Sequence, residues 1–155
     1  NPQWNDKTIE EYECFLKSAG FSAQSHYATW GYWEGLSPNP YFNHADYLQA
    51  KALVMKNKWG YPDAQTAKII FQSRWPGDTY LHYLAYGAAE GIDPSNSFDE
   101  SIYLTDLLTL MQSNGMLMEM NIDDLRTHLM ENGMTVIDHY AKYGKEKGMK
   151  LTPVQ

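Results

Sequence analysis

At 155 residues the chain has the length of one domain, and its 43% hydrophobic and 14% aromatic content excludes a disordered segment. A formal charge of −7 disfavours nucleic acid and anionic membrane surfaces, both of which select Lys- and Arg-rich partners. The single cysteine, Cys14, excludes an intrachain disulfide framework and suits the cytosol and a disulfide-free bacterial surface protein equally; no apolar run approaches the ~20 residues of a membrane span.

The chain opens at Asn1 with neither Met nor a charged-then-apolar leader, and residues 1–7 read as a lead-in. We expect a processed chain or, more readily, a fragment of a larger one. Thr8-Ile9-Glu10-Glu11 has capping-box spacing and predicts a helix over about 9–18, with Ile9, Tyr12, Phe15 and Leu16 as its core side chains. Ala19-Gly20 ends it, and Cys14 is expected to pack within it. A second helix is predicted over about 22–34, stopped by Gly35 and a loop holding Pro38 and Pro40. Asn43 caps a helix to about Met55, whose apolar positions are Tyr47, Leu48, Leu53 and Val54. Asp63 caps the next, Ala64 to Ser73, and Pro76-Gly77-Asp78 breaks it. A further helix runs to about Glu90. Then the cycle resumes: a helix to about Gln112, one opened by Asn121 or Asp123 and ended by Asn132-Gly133, and one over about 135–147.

The cycle has a motif. His26-Tyr27-x-x-Trp30-Gly31-x-x-Glu34-Gly35 returns as His82-Tyr83-x-x-Tyr86-Gly87-x-x-Glu90-Gly91 and as His139-Tyr140-x-x-Tyr143-Gly144-x-x-Lys147-Gly148. The three histidines are spaced by 56 and 57 positions. Phe42-Asn43 and Tyr47-Leu48 likewise match Phe98-Asp99 and Tyr103-Leu104. Recurrence at a near-fixed period marks a repeat. The expected fold is all-α: about 2.5 tandem three-helix units of ~56 residues in a single domain over 1–155, with units at about 8–62, 63–120 and 121–155. The helices are too short to be stable alone, so packing must hold them.

A glycine inside a helix costs about 1 kcal/mol against alanine. Its return at Gly31, Gly87 and Gly144 predicts close approach by another helix or an aromatic ring. Gly35, Gly91 and Gly148 stand where a helix must end with positive φ. Phe42 and Phe98 are expected to fold back onto the preceding helix, and Trp30, Tyr86 and Tyr143 to face the core. His26, His82 and His139 read as partly buried rings hydrogen-bonded to backbone or a neighbouring loop, because no His-x3-His or Cys-x2-Cys spacing supplies further metal ligands. His44 and His128 read as surface or boundary residues. Glu34 and Glu90 could pair as a glycosidase does, but Lys147 replaces them in the third copy. Asp93-x-Ser95-x-Ser97-x-Asp99 imitates the start of a calcium loop, yet Phe98 stands where its glycine belongs and Leu104 where its glutamate belongs. No catalytic residue, cofactor or metal is therefore expected. The Met cluster from Met111 to Met134 reads as gap-filling core. Tyr32 and Trp33 are replaced by Ala88-Ala89 and Lys145-Glu146 in the other copies, so they are expected to be surface aromatics. They would pack on a preceding unit or bind a sugar or protein by stacking.

The run His-Tyr-x-x-[Tyr/Trp]-Gly-x-x-Glu-Gly-x-x-Pro, followed by Phe-[Asp/Asn]-x-x-x-Tyr-Leu, resembles a helical repeat of large bacterial secreted and surface proteins: the RTX or hemolysin-type group and its adhesin-like relatives. It is also similar to segments beside some bacterial glycosyltransferase domains. The matching pieces are 26–48, 82–104 and 139–153. Leu36 and Ile92 stand where that pattern carries a basic residue. The resemblance implies a non-catalytic module in an extracellular or cell-surface chain, acting as spacer, scaffold or protein-binding surface. Its partners would be neighbouring repeats and a protein or glycan ligand. The alternative it implies is a carbohydrate-binding accessory domain.

Overall fold

A computed structural model describes residues 8–153, without the side chain of Ile9. Among these residues there is no β-strand, only an isolated bridge between Ser95 and Phe98; the fold is all-α. The lead-in at 1–7 lies outside the described residues. The chain forms two compact units that divide between Pro40 and Tyr41, a boundary that falls inside the expected unit 8–62.

The first unit holds α1 (Ile9–Ser18) and α2 (Ala23–His26). Thr8 and Glu11 close the expected capping box over α1, each side chain accepting from the other's backbone N–H. Ser22 and Ser25 do the same for α2. Leu16 is buried, but Phe15 is 48% exposed and Cys14 is exposed too, contrary to expectation. The apolar stripe of α1 is narrower than its sequence suggested.

The second unit holds two helix triplets. α3 (His44–Trp59), α4 (Ala64–Arg74) and α5 (Thr79–His82) form one; α6 (Glu100–Ser113), α7 (Ile122–Glu131) and α8 (Val136–His139) form the other. Each helix is opened by a side chain that accepts a backbone N–H of its first turn: Asn43, Asp63, Asp78, Asp99, Asn121 and Thr135 in order. Caps of this kind contribute about 1 kcal/mol apiece and set where short helices begin. α3 runs on past Met55 to Trp59, where Gly60 ends it at φ 72°.

The motif helices differ from expectation in one respect. None is a plain α-helix. α2, α5 and α8 each last one turn and pass into a π-helical turn, at Tyr27–Gly31, Tyr83–Gly87 and Tyr140–Gly144. The wider i→i+5 turn is visible in the bonds from Ala88 N to Tyr83 O and from Lys145 N to Tyr140 O, both 2.9 Å. Gly35, Gly91 and Gly148 then end the motifs at φ of 74°, 68° and 64°.

One core runs through both triplets, from Phe42, Tyr47 and Tyr83 to Phe98, Tyr103, Leu104, Leu125, Val136 and Ile137. A second lies between α3 and α4, around Leu48, Ala52, Met55, Ala67 and Phe71. Leu53 of α3 is 43% exposed and Val54 only half-buried, so Leu48 and Met55 carry that face instead. Phe42 and Phe98 are fully inside; the ring partners of Phe42 lie forward in the chain, while Phe98 has them on both sides, with Tyr41 behind it at 6.1 Å. Phe42 meets Tyr47, Tyr80 and Tyr83; Phe98 meets Tyr103 and Tyr140. Each phenylalanine therefore joins the opening of a triplet to that triplet's own motif helix. The backbone makes the same closure: Asn43 N donates to Pro94 O at 3.0 Å, and Asp99 N to Leu151 O at 2.8 Å. Of the Met cluster, Met111, Met120 and Met130 pack on the core, while Met116 and Met118 are exposed. No helix among the described residues is long and apolar enough to cross a membrane.

Candidate functional site

The motif becomes intelligible once Tyr47 is placed. It stands in the first turn of α3, and its ring crosses onto the π turn of the same triplet. There its hydroxyl lies 2.7 Å from His82 Nδ1. A Cβ added at Gly87 would sit 2.1 Å from the same hydroxyl oxygen. Gly87 is thus required for room rather than for backbone freedom. The second triplet repeats the joint: the Tyr103 hydroxyl lies 2.7 Å from His139 Nδ1, and a Cβ at Gly144 would meet it at 2.6 Å. The close approach expected at the mid-helix glycines is found, and the incoming group is an aromatic ring. The sequence contained the signal, since Tyr47 and Tyr103 stand 35 and 36 positions before their histidines.

The histidine rings are further enclosed. His82 packs edge-on to Phe71 at 4.7 Å and Trp75 at 5.1 Å, with Tyr86 at 5.3 Å; His139 has Tyr143 at 5.1 Å. Tyr86 and Tyr143 are nonetheless 53% and 40% exposed, and Trp30 is 42% exposed. The expectation that this position faces the core is incorrect: one turn after the histidine, the ring lies over it as an outer lid. Burial holds both histidines below the usual imidazole range, helped by Lys51 at His82 and Lys147 at His139. Burial also pushes the Tyr47 and Tyr103 hydroxyls well above the phenol range. A neutral imidazole beside a neutral phenol satisfies both groups without a charge, with the hydroxyl donating to Nδ1 when Nε2 carries the ring hydrogen. That arrangement suits a packed joint.

In the first unit His26 has different neighbours. Its ring meets Tyr12 at 6.1 Å and Trp30 at 5.5 Å, and Nε2 lies 3.7 Å from Glu34 Oε2. Gly31 is overhung by Tyr27 of its own turn, whose Cδ2 would lie 2.3 Å from an added Cβ.

Two buried ionic groups were not legible as such. Lys51 is only 3% exposed, pairs with Glu90 at 2.6 Å and lies 5.5 Å from the Trp59 ring centroid. Glu90 is therefore the partner of a buried lysine. Glu100, with no exposure at all, accepts from the Tyr83 hydroxyl at 2.8 Å and from Arg126 Nε at 3.3 Å. Arg126 also donates to Asp123, and its guanidinium lies so close to Gly91 that a Cβ there would fall 2.7 Å from Nη2. Glu100 and Arg126 belong to short polar runs at helix starts, which read as solvated from sequence alone.

The remaining polar candidates are in structural use. Asp93 accepts from the Glu100 backbone N–H at 2.9 Å, and Asp99 caps α6 through Ile102 N. Ser95 and Ser97 pair with each other at 3.1 Å. His44 Nδ1 lies 2.7 Å from the Thr79 hydroxyl, and His128 is exposed. On the outer face, Trp33 is 75% exposed with half-buried Tyr32 edge-on at 5.0 Å. Their counterparts diverge: Ala88 is buried, whereas Ala89, Lys145 and Glu146 are exposed. No family model, curated protein or solved structure matches the chain.

Proposed function

We propose that this chain is a non-catalytic structural and interaction module of a bacterial secreted or cell-surface protein, built from helical repeats and serving as spacer, scaffold or protein-binding surface. One observation carries the reading. In the second unit the motif histidines are spent on the same joint with a tyrosine, Tyr47–His82 over Gly87 and Tyr103–His139 over Gly144. A spacer needs such joints to resist extension as a unit. The core shared by both triplets supports that cooperativity. Single-molecule pulling tests it: Tyr41–Gln155 should unfold in one step, releasing roughly 400 Å of extended chain. Helix-by-helix unravelling at low force would remove the scaffold reading.

A second reading, a carbohydrate-binding accessory domain, draws on the outward Trp33 ring with Tyr32 beside it. Exposed aromatic faces of this kind stack on sugar rings. Glycan-array binding that disappears in a Tyr32→Ala, Trp33→Ala variant would favour it; no binding by the parent chain would count against it.

A further inference from the structure

Glu100 opens α6, yet no part of it reaches solvent. Its carboxylate is gripped from both triplets of the second unit. The Tyr83 hydroxyl donates to Oε1 from the π turn of the first triplet, and Arg126 Nε donates to Oε2 from α7 of the second. The groups facing this cluster are unbalanced in charge. Among the described residues Arg126 is the cation paired with Glu100, while Asp93 from the loop, Asp99 at the cap of α6, Asp123 on α7 and Asp138 on α8 all lie near the same assembly. Asp93 already uses its Oδ1 on the Glu100 N–H. Among these acids Glu100 is the one sealed from water, so it bears the largest cost of a charge in that setting.

We propose that Glu100 is a proton-operated latch between the two helix triplets: it takes up a proton as the surroundings pass from neutral to mildly acidic, and the joint tightens when it does. A protonated carboxyl can still accept from Arg126 at Oε2 and donate from Oε1 to the Tyr83 oxygen, in exchange for the hydrogen bond that the Tyr83 hydroxyl donates to the carboxylate. It sheds the negative charge, and with it the ionic part of the Arg126 contact. Burial pushes the Glu100 carboxyl up to about 7 from an ordinary 4.5, against the pull of Tyr83 and Arg126. The direction of the linkage follows. Between those values the folded chain holds a proton that the unfolded chain does not. This group therefore adds stability as pH falls through about 7 toward 4.5, and subtracts it above.

The test compares the folding equilibrium constants of the parent chain and Glu100→Gln, by urea denaturation from pH 8 to pH 4.5. Glutamine imitates the protonated carboxyl at every pH, and His82, His139 and Asp93 titrate in both proteins. The ratio of parent to variant constants should rise as pH falls, by up to tenfold per pH unit for one proton. Asp93→Asn should retain a slope against Glu100→Gln, displaced to lower pH because the neighbouring Asp93 charge helps to raise Glu100, which assigns the proton to Glu100. Parallel profiles for the parent and Glu100→Gln overturn the latch. Side-chain carbon NMR of the native parent gives an answer even if the variant does not fold. One glutamate should titrate near neutrality, and a set that all titrates between pH 4 and 5 would also overturn it.

Discussion

The motifs around His26 and His82 share a backbone and not a chemistry. Both run through one α-turn, a π turn that ends on glycine, and a positive-φ glycine four residues later. Yet His82 is locked to the hydroxyl of Tyr47, while His26 has an edge-on Tyr12 and a glutamate at 3.7 Å. The ten-residue string dictates its own local path. What the histidine does depends on which tyrosine arrives from an earlier helix. A motif copied in sequence is thus copied in function only where its distant partner is copied too, as it is for Tyr103 and His139.

The sharpest way to break the comparison is to fill the slot. Gly87→Ala should cost about 2–3 kcal/mol, because the new Cβ displaces the Tyr47 ring and its hydrogen bond by more than helix propensity returns. Gly144→Ala, with its nearest contact at 2.6 Å rather than 2.1 Å, should cost less; chemical denaturation would rank the two. Equal and negligible losses would show that the tyrosine can step aside. Next comes the hydroxyl alone. Tyr47→Phe should lose about 1–2 kcal/mol, because a buried imidazole nitrogen then goes unpaired, and Tyr103→Phe less, because His139 is only partly buried.

A smaller effect is the pH response of the two joints. Both folded histidines sit below their ordinary value of 6.5, so the unfolded chain takes up the proton first on acidification. Their contribution is whole above pH 6.5 and drains below it, opposite in sign to that of Glu100. In a Glu100→Gln background the acid loss should therefore stand out, and adding Tyr47→Phe should change its slope. The least perturbing change is Trp33→Ala. With three quarters of its surface in water, it should leave the unfolding midpoint within about 0.5 kcal/mol of the parent. A larger loss would mean that the ring is packed in solution.

Much of this was readable in advance where the physics is local. Thr8, Asn43, Asp63 and Asn121 cap helices as their spacing suggested, because a cap acts within three residues. Gly35, Gly91 and Gly148 end helices for the same reason. The failures are of another kind. Trp30, Tyr86 and Tyr143 sit at core spacing but lie outside, Phe15 and Cys14 are exposed, and Phe42 reaches forward to Tyr80 and Tyr83 instead of back. Lys51, Glu100 and Arg126 carry charges and are buried. Helical periodicity places a side chain on a face but does not say what covers that face. An ion's burial is decided by the counter-charge that packing brings to it.

The sequence by itself determined the all-α class, the capped helix starts and the glycine stops, since these rest on backbone sterics and hydrogen bonds within a few residues; the need for room at Gly31, Gly87 and Gly144 was legible only from the recurrence of the motif glycine. Only the tertiary structure decided that Tyr47 and Tyr103 would fill the space over Gly87 and Gly144, and that Glu100 would be sealed between Tyr83 and Arg126. Those outcomes depend on which side chains, 17 to 36 residues apart, are brought together when the helices pack. No periodicity along the chain encodes that distance in space.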